Sequence, residues 1–331
     1  MSSLSHRRKN KERGSLVPPK GGNLGGGVSP STSNVILRYA KSTISDFDSD
    51  PVLLRVGDWS LPGNGQKYED CGMVRAHKCP NGGDSKLHPA GVDGRPAGVH
   101  IVEYYKRSCF RAECPICFGA WAGREAEKAD YRLRSYKGGR FRRPIHVIAS
   151  PPCDKWGLEF GVLRSECYKN LRKVGVYGGC VIIHPFREVP KDSGNWVVSP
   201  HFHIIGYGWV HHTKENFEAN GWVVKVRKGG IISSVKGTLS YQLGHSGVHK
   251  GHINGLRRSR VHTITWFGVC SYNKLRLKRW HPVPVLCPIC GCELRPVHLD
   301  KKNCWRGLDP PKNFGLFYLV GGTWVEYNKM A

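Results

Sequence analysis

The chain has 331 residues, with 51 lysines and arginines against 25 aspartates and glutamates, which gives a formal net charge of +26 at pH 7. A basic excess of this size predicts a polyanionic partner, and nucleic acid is the first candidate. No run of about 18 apolar residues occurs, which argues against a membrane-spanning helix. The polar, basic start of the chain does not resemble a signal peptide, so a cytoplasmic protein with no membrane partner is expected.

The N-terminal part of the chain divides into an arm and a cysteine-bearing region. Residues 1–33 are rich in Ser, Gly, Pro, Lys and Arg, and they are predicted to form a disordered basic arm. Residues 34–135 are predicted to form an N-terminal region, which contains the first group of closely spaced cysteines. Within it we expect a strand at 101–107 and an alanine-rich helix from 118 to about 135.

Residues 136–262 are predicted to form a central core, and residues 263–331 a separate C-terminal module with a second group of closely spaced cysteines. Hairpin-linked strands alternating with helices favour the α+β class, with an antiparallel sheet and helices on its faces. The expected core elements are strands at 144–150, 180–184, 197–206 and 222–227 and helices at 154–174, 214–220 and 232–246. The pair Gly178-Gly179 is expected to end the second helix of the chain.

Thirteen cysteines occur, and in a chain without a secretory route CxxC pairs indicate structural zinc rather than disulfides. Cys114 and Cys117 form a CPIC knuckle. The residues that complete its four-ligand site stay open among Cys71, His77, Cys79 and Cys109.

Cys287 and Cys290 form a second CPIC knuckle, whose partners stay open among Cys270, His298 and Cys304. The alternative for both groups is a set of reduced thiols that pack as small apolar side chains.

The segment 200–206 (PHFHIIG) has two histidines separated by one residue. On a strand, His201 and His203 point to the same face, where neutral imidazoles can bind a divalent cation. His184 ends the preceding strand, and it becomes a third ligand if the two strands pair. His245 is the competing candidate for that third position.

Tyr241 and His245 lie four residues apart on a predicted helix, so they share one face. A tyrosine beside a metal can attack a phosphate that the cation polarises. The alternative for Tyr241 is a half-buried packing role.

Basic residues between the histidine strand and Tyr241 are predicted to contact nucleic acid, and nearby tryptophans are candidates for stacking on unpaired bases. The basic residues are Lys225, Arg227, Lys228 and Lys236, and the tryptophans are Trp196, Trp209 and Trp222.

With these motifs, residues 100–292 resemble the HUH-type rolling-circle replication initiators (Rep endonucleases) of archaeal plasmids and viruses. The stretch 146–152 (HVIASPP) is similar to the first family motif, and 200–203 (PHFH) is similar to its metal motif. Tyr241 stands where the family has its nucleophilic tyrosine. His245 replaces the lysine that is common a few positions later, which leaves its role as ligand, acid–base or phosphate contact open.

The resemblance implies an RRM-like palm fold and a single catalytic tyrosine that nicks single-stranded origin DNA. The implied product is a 5′-phosphotyrosine link with a free 3′-hydroxyl, formed with Mg or Mn and later reversed to rejoin the strands. A host helicase and polymerase are the implied partners, because the chain has no Walker A motif.

Two other functions compete with replication initiation. A single-strand DNA transposase has the same order of motifs and differs in its genetic context. A noncatalytic zinc-dependent regulator explains the charge and the knuckles, but it leaves the histidine pair and Tyr241 without a task. A relaxase fits less well, because relaxases place their tyrosine before the histidines.

Overall fold

A computed structural model describes residues 58–327 except 93, 139–142, 191–192, 250–251, 254–255 and 258–261, together with two short strands before residue 58. The side chains of 228–231, 252–253 and 256–257 are outside the description. The predicted arm at 1–33 also lies outside the described residues. The structure confirms the α+β class with antiparallel sheets.

The structure confirms the four helices predicted from the sequence to within a few residues, except that the second helix begins at Phe160 and not at 154. The helices are α1 (Phe118–Ser135), α2 (Phe160–Lys173), α3 (Thr213–Asn220) and α4 (Val235–Gly244), with a 3-10 turn at Cys153–Lys155. The strands up to the histidines are β1 (Leu37–Arg38), β2 (Arg55–Val56), β3 (Trp59–Ser60), β4 (Val74–Lys78), β5 (Ile101–Lys106), β6 (Ile145–Ser150), β7 (Val176–Glu188) and β8 (Asn195–Gly208). The later strands are β9 (Val223–Ile231), β10 (Val248–His249), β11 (His252–Ile253), β12 (Leu256–Arg257), β13 (Ile264–Gly268), β14 (Arg295–Val297), β15 (Gly315–Val320) and β16 (Thr323–Glu326).

The central sheet has the strand order β13-β7-β8-β6-β9, with β1 paired to β8. Its middle is the long antiparallel hairpin of β7 and β8. The prediction that Gly178-Gly179 ends a helix is wrong, because both glycines lie inside β7. A Cβ at Gly179 would lie 2.4 Å from the Ile205 carbonyl oxygen, so glycine permits the close approach of the strands there. The turn after α2 is made by Gly175, whose φ of +87° favours glycine.

The two faces of the central sheet carry separate cores. On one face, Ile182 and Ile205 pack against small alanines of α1 and against Leu239 and Leu243 of α4; we call this the α1/α4 face. On the other face, Phe202 and Ile204 pack with Leu163 and Leu171 of α2. The alternation of side chains along β8 therefore sends odd-numbered residues toward α1 and α4.

A second sheet has the order β14-β4-β5-β15-β16 and joins segments from the two ends of the described chain. This arrangement differs from the predicted division, which assigned 263–331 to a module of its own. Strand β13 pairs with β7 in the central sheet, and β14 pairs with β4 of the N-terminal region. Composition shows where turns fall, but it does not show which distant strands hydrogen-bond. Within these described ranges, no helix has both the length and the apolar character needed to cross a membrane.

Candidate active site

Three histidines of the central hairpin converge on the α1/α4 face. His184 of β7 lies directly opposite His201 of β8, and His203 follows two residues later on the same face. Ring centroids are 4.4 Å apart for His184 and His203, 5.2 Å for His184 and His201, and 5.1 Å for His201 and His203. One ring nitrogen from each lies within 4.8 Å of the other two. This spacing suits three imidazoles around one cation with open positions left for a substrate.

The surroundings of His201 and His184 suit a role as metal ligands. His201 donates from Nδ1 to the Ser199 carbonyl oxygen at 2.7 Å, which leaves its Nε2 free to bind a metal. The Nε2 atom of His184 is buried without a hydrogen-bond partner. A buried nitrogen without a partner is costly unless an ion or water satisfies it. The donor set therefore fits a bound divalent cation, with outer hydrogen bonds that orient the ligands.

A fourth histidine, His146 of β6, joins the cluster and was missed as a site residue by sequence reasoning. Its Nε2 lies 2.8 Å from Nδ1 of His203, so the two rings share a hydrogen bond. His146 pairs across the strands with Ile205, which places it on the same face. The available signal was its position inside the stretch 146–152, which did not reveal that β6 lies beside β8.

All four rings are uncharged at neutral pH. Burial lowers the pKa of His146 and of His201 to about 4, and it lowers the pKa of His184 and of His203 well below the usual range. The deprotonated imidazole is the form that binds metals, so the rings are ready to act as ligands.

Three exposed basic side chains surround the histidines. Lys225 of β9 lies in one cross-strand row with Ile148 and His203, so it projects from the same face. Positive charge from Arg187 and Lys225 adds to the lowering of the His201 pKa, and Arg227 does the same for His146. These cations are placed to attract a phosphate.

The other two basic residues predicted to contact nucleic acid behave differently. Lys236 forms a salt bridge with Glu127 of α1 at the surface. The side chain of Lys228 lies outside the described residues.

Helix α4 carries the candidate nucleophile beside the histidines. Tyr241 is about half exposed (52%), and its ring centroid lies 4.9 Å from that of His245. Leu239 and Leu243 of the same helix pack on the α1/α4 face, which also carries the histidines. Tyr241 therefore lies on a helix that covers the face of the sheet where the histidines converge.

His245 caps the end of α4 rather than joining the three ligand histidines. It donates from Nδ1 to the Tyr241 carbonyl oxygen at 3.0 Å, and its ring stacks 6.1 Å from Trp196. With the proton on Nδ1, its Nε2 is left as an acceptor. Of the two candidates for the third ligand, the geometry brings His184 to the pair.

The candidate stacking tryptophans fall into different environments. Trp222 is fully buried against Phe202 in the α2 core, so the prediction that it stacks on bases is wrong. Trp196 is buried and packs on His245. Trp209 is 67% exposed.

The first cysteine group is completed by Cys71 and Cys109. Cys71, Cys109, Cys114 and Cys117 have their sulfurs within 4.8 Å of one another, which fits a four-thiolate zinc site. The Cys109 backbone N–H donates to the Cys117 sulfur at 3.4 Å. Burial raises the pKa of Cys117, but hydrogen bonds from the Ser108 side chain and the Cys109 backbone outweigh it and bring the pKa to about 7.

His77, a candidate for the first group, lies elsewhere. Its ring nitrogens contact Glu103 at 3.3 Å and Tyr105 at 3.0 Å in the second sheet.

The second group unites the two ends of the described chain. Cys79, His88, Cys287 and Cys290 have ligand atoms within 4.8 Å of one another. Cys79, one of the open candidates for the first group, belongs to this cluster instead, because its sulfur lies 3.3 Å from His88 Nε2 and 3.5 Å from the Cys290 sulfur. This cluster can hold a metal such as zinc.

His88 was missed by sequence reasoning, and its environment suits a ligand. Its Nδ1 donates to the Val99 carbonyl oxygen at 2.6 Å, which directs Nε2 at the thiols. The proposed partners of the second knuckle are wrong: Cys270 lies in the central core, and Cys304 lies beside Asp309. His298 is likewise outside the described cluster.

Comparison with protein-family models, with curated proteins and with solved structures gave no match for this chain.

Proposed function

We propose that the protein is a metal-dependent endonuclease and strand transferase of the HUH type, which nicks single-stranded DNA at a replication origin and starts rolling-circle replication. The observation that carries this proposal is the three-histidine cluster together with α4, the helix of Tyr241, which packs on the same face of the sheet. The antiparallel sheet with helices on both faces supports an RRM-like palm. The positive charge of the chain supports a DNA substrate.

The proposed reaction is a transesterification at one phosphodiester. The Tyr241 oxygen forms a bond to phosphorus while the bond to the 3′ oxygen breaks, and the departing oxygen is protonated to a free 3′-hydroxyl. The 5′ phosphate remains on the tyrosine, and attack by a 3′-hydroxyl reverses the step and rejoins the strands. A divalent cation held by His184, His201 and His203 would supply charge stabilisation at the scissile phosphate.

The remaining roles follow from positions around that site. The free Nε2 of His245 is an acceptor near the Tyr241 ring, so we assign it the phenolic proton. Arg187, Lys225 and Arg227 hold the phosphates on either side of the scissile bond. Three imidazole ligands favour Mn over Mg, because Mg prefers oxygen donors.

The third-ligand assignment is tested by comparing two histidine variants. In zinc-replete protein, we expect His184→Ala to weaken Mn²⁺ binding by roughly 10- to 100-fold or more, since it removes a direct ligand. His245→Ala is expected to change the affinity by less than about threefold, because its ring lies outside the cluster. Electron paramagnetic resonance of free Mn²⁺ measures both. The opposite ranking would transfer the third position to His245.

The function itself is tested with a pool of random single-stranded oligonucleotides and Mn²⁺ or Mg²⁺. We expect a protein–DNA adduct that survives boiling in detergent and is absent with EDTA. Sequencing the trapped oligonucleotides gives the preferred origin sequence. Binding without any adduct, under both metals, would replace the proposal with the noncatalytic regulator, which the two cysteine clusters also suit.

A transposase would perform the same chemistry. Hairpins flanking the coding region would indicate a transposon, whereas a small circular replicon would indicate a replication initiator. The replication role further implies a separate helicase and a polymerase acting on the free 3′ end.

A further inference from the structure

A large groove runs along β13, the edge strand of the central sheet that pairs with β7. It is bordered by α1 and α2 and by residues 65–69, 110–113 and 275–280. Its volume is about 2660 Å³, whereas small-molecule sites measure roughly 300–1,000 Å³. The groove is therefore sized for a polymer. None of the three clustered histidines lines it, nor does Tyr241.

The lining has a distinctive composition. The lining includes nine lysines and arginines, only three glutamates, and eight Phe, Tyr and Trp side chains. A solvated basic surface would not need this many rings. Positive charge interleaved with aromatic rings is the arrangement that binds unpaired nucleic-acid strands, with cations on the phosphates and rings on the bases.

Two exposed rings of the lining, Tyr68 and Phe110, are each in contact with a guanidinium group. Arg111 lies 3.7 Å from the ring centroid of Tyr68, and Arg124 lies 4.2 Å from that of Phe110. Such pairs stabilise an aromatic side chain in place. Tyr68 and Phe110 nevertheless stay 41% and 39% exposed, so each ring still offers surface to a ligand.

Another part of the lining is fixed to α1 by one buried arginine, Arg132. Arg132 donates to the carbonyl oxygens of Cys270 and Leu275 at 2.8 and 2.7 Å, and it lies 4.3 Å from the Tyr272 ring centroid. These bonds attach the segment after β13 to the helix. Tyr272 itself is 68% exposed at the groove, and the segment continues into the exposed cations Arg276, Lys278 and Arg279.

We propose that this groove is a second DNA site, which holds a single strand outside the histidine centre. An acidic protein segment would satisfy the charge, but it would leave the ring faces without partners. Unpaired bases use both features. The proposal relies on the proposed function only for the choice of DNA as ligand.

The test measures binding of a labelled 20-nucleotide single strand by fluorescence anisotropy across a range of salt. Every protein carries Tyr241→Phe, so the DNA is not cut and the result is independent of catalysis. The groove variant is Arg276→Gln with Lys278→Gln and Arg279→Gln. Its matched control, Lys301→Gln with Lys302→Gln and Lys312→Gln, removes the same charge from exposed positions outside the groove lining.

For the groove variant we expect affinity to fall by about tenfold or more, with the slope of log affinity against log salt reduced by about 2. The control is expected to lose much less. Tyr272→Ala is expected to weaken binding about fivefold or more, whereas Tyr272→Phe, which keeps the ring, stays near the parent protein.

Equal losses in the groove and control variants would overturn the proposal. So would an unchanged affinity in Tyr272→Ala together with tight binding of polyglutamate, which would indicate an acidic protein partner. If the unaltered protein forms no covalent adduct while the variants show the expected binding pattern, only the proposed nuclease is refuted. If the unaltered protein forms the adduct while the groove variant binds DNA as tightly as its parent, only the proposed groove site is refuted.

Discussion

Replacing Tyr241 by Phe is expected to reduce formation of the covalent DNA adduct by a factor on the order of 10³ or more. The phenolic oxygen is the atom that bonds to phosphorus, and losing a nucleophile removes the whole covalent route. The ring is about half exposed, so the substitution should change the free energy of unfolding by no more than about 0.5 kcal/mol. A denaturing gel of end-labelled oligonucleotide with Mn²⁺ measures the adduct, and thermal unfolding checks the fold.

The matched control is Tyr272→Phe, which removes a hydroxyl from another exposed tyrosine. It should form the adduct at the rate of the unaltered protein. Adduct formation that persists in Tyr241→Phe would refute the nucleophile, and a comparable loss in both variants would point to a general effect on DNA binding.

The second large effect is expected at the cluster of Cys79, His88, Cys287 and Cys290. Structural zinc contributes roughly 10–16 kcal/mol in small zinc-finger peptides at neutral pH. That range is comparable with the whole stability of a domain, about 5–15 kcal/mol. This cluster joins segments about 200 residues apart in sequence. Cys290→Ser should therefore destabilise the second sheet so far that it no longer shows a cooperative unfolding transition, or it should leave the protein insoluble.

Zinc content gives a second readout for the same substitution. Bound zinc is measured by native mass spectrometry in a His201→Ala background, which removes a ligand of the histidine site. This parent protein should hold two zinc ions per chain, one for each cysteine cluster. Cys290→Ser should hold one. The control Cys304→Ser removes a buried thiol outside both clusters and should keep two. Two tightly held ions and an unchanged melting temperature in Cys290→Ser would contradict the assignment.

The local features of this protein could be predicted from its sequence because they depend on short-range patterns. Spacing of two on a strand places His201 and His203 on one face, and the antiparallel pairing of adjacent strands brings His184 to them. The alanine-rich period of α1 likewise marks a helix. Each of these inferences uses neighbours along the chain or the nearest hairpin.

The rest depends on contacts between distant segments, which no local pattern encodes. His146 enters the site only because β6 lies beside β8, and His88 has no motif of its own. Cys79 lies closer in sequence to the first knuckle, yet the pairing of β4 with β14 brings it to the second. From sequence alone, Gly178 and Gly179 indicate a turn. In the structure they lie inside β7, where the close approach of the neighbouring strands requires glycine.

The most direct measurement of the central claim is peptide mapping by mass spectrometry of the adduct formed with single-stranded DNA and Mn²⁺. We expect one modified peptide, in which Tyr241 carries a 5′-phosphonucleotide, and no such peptide when His201 and His203 are both replaced by Ala. A nucleotide on any other residue, a 3′-phosphate link, or an undiminished Tyr241 adduct in the double histidine variant would contradict that claim.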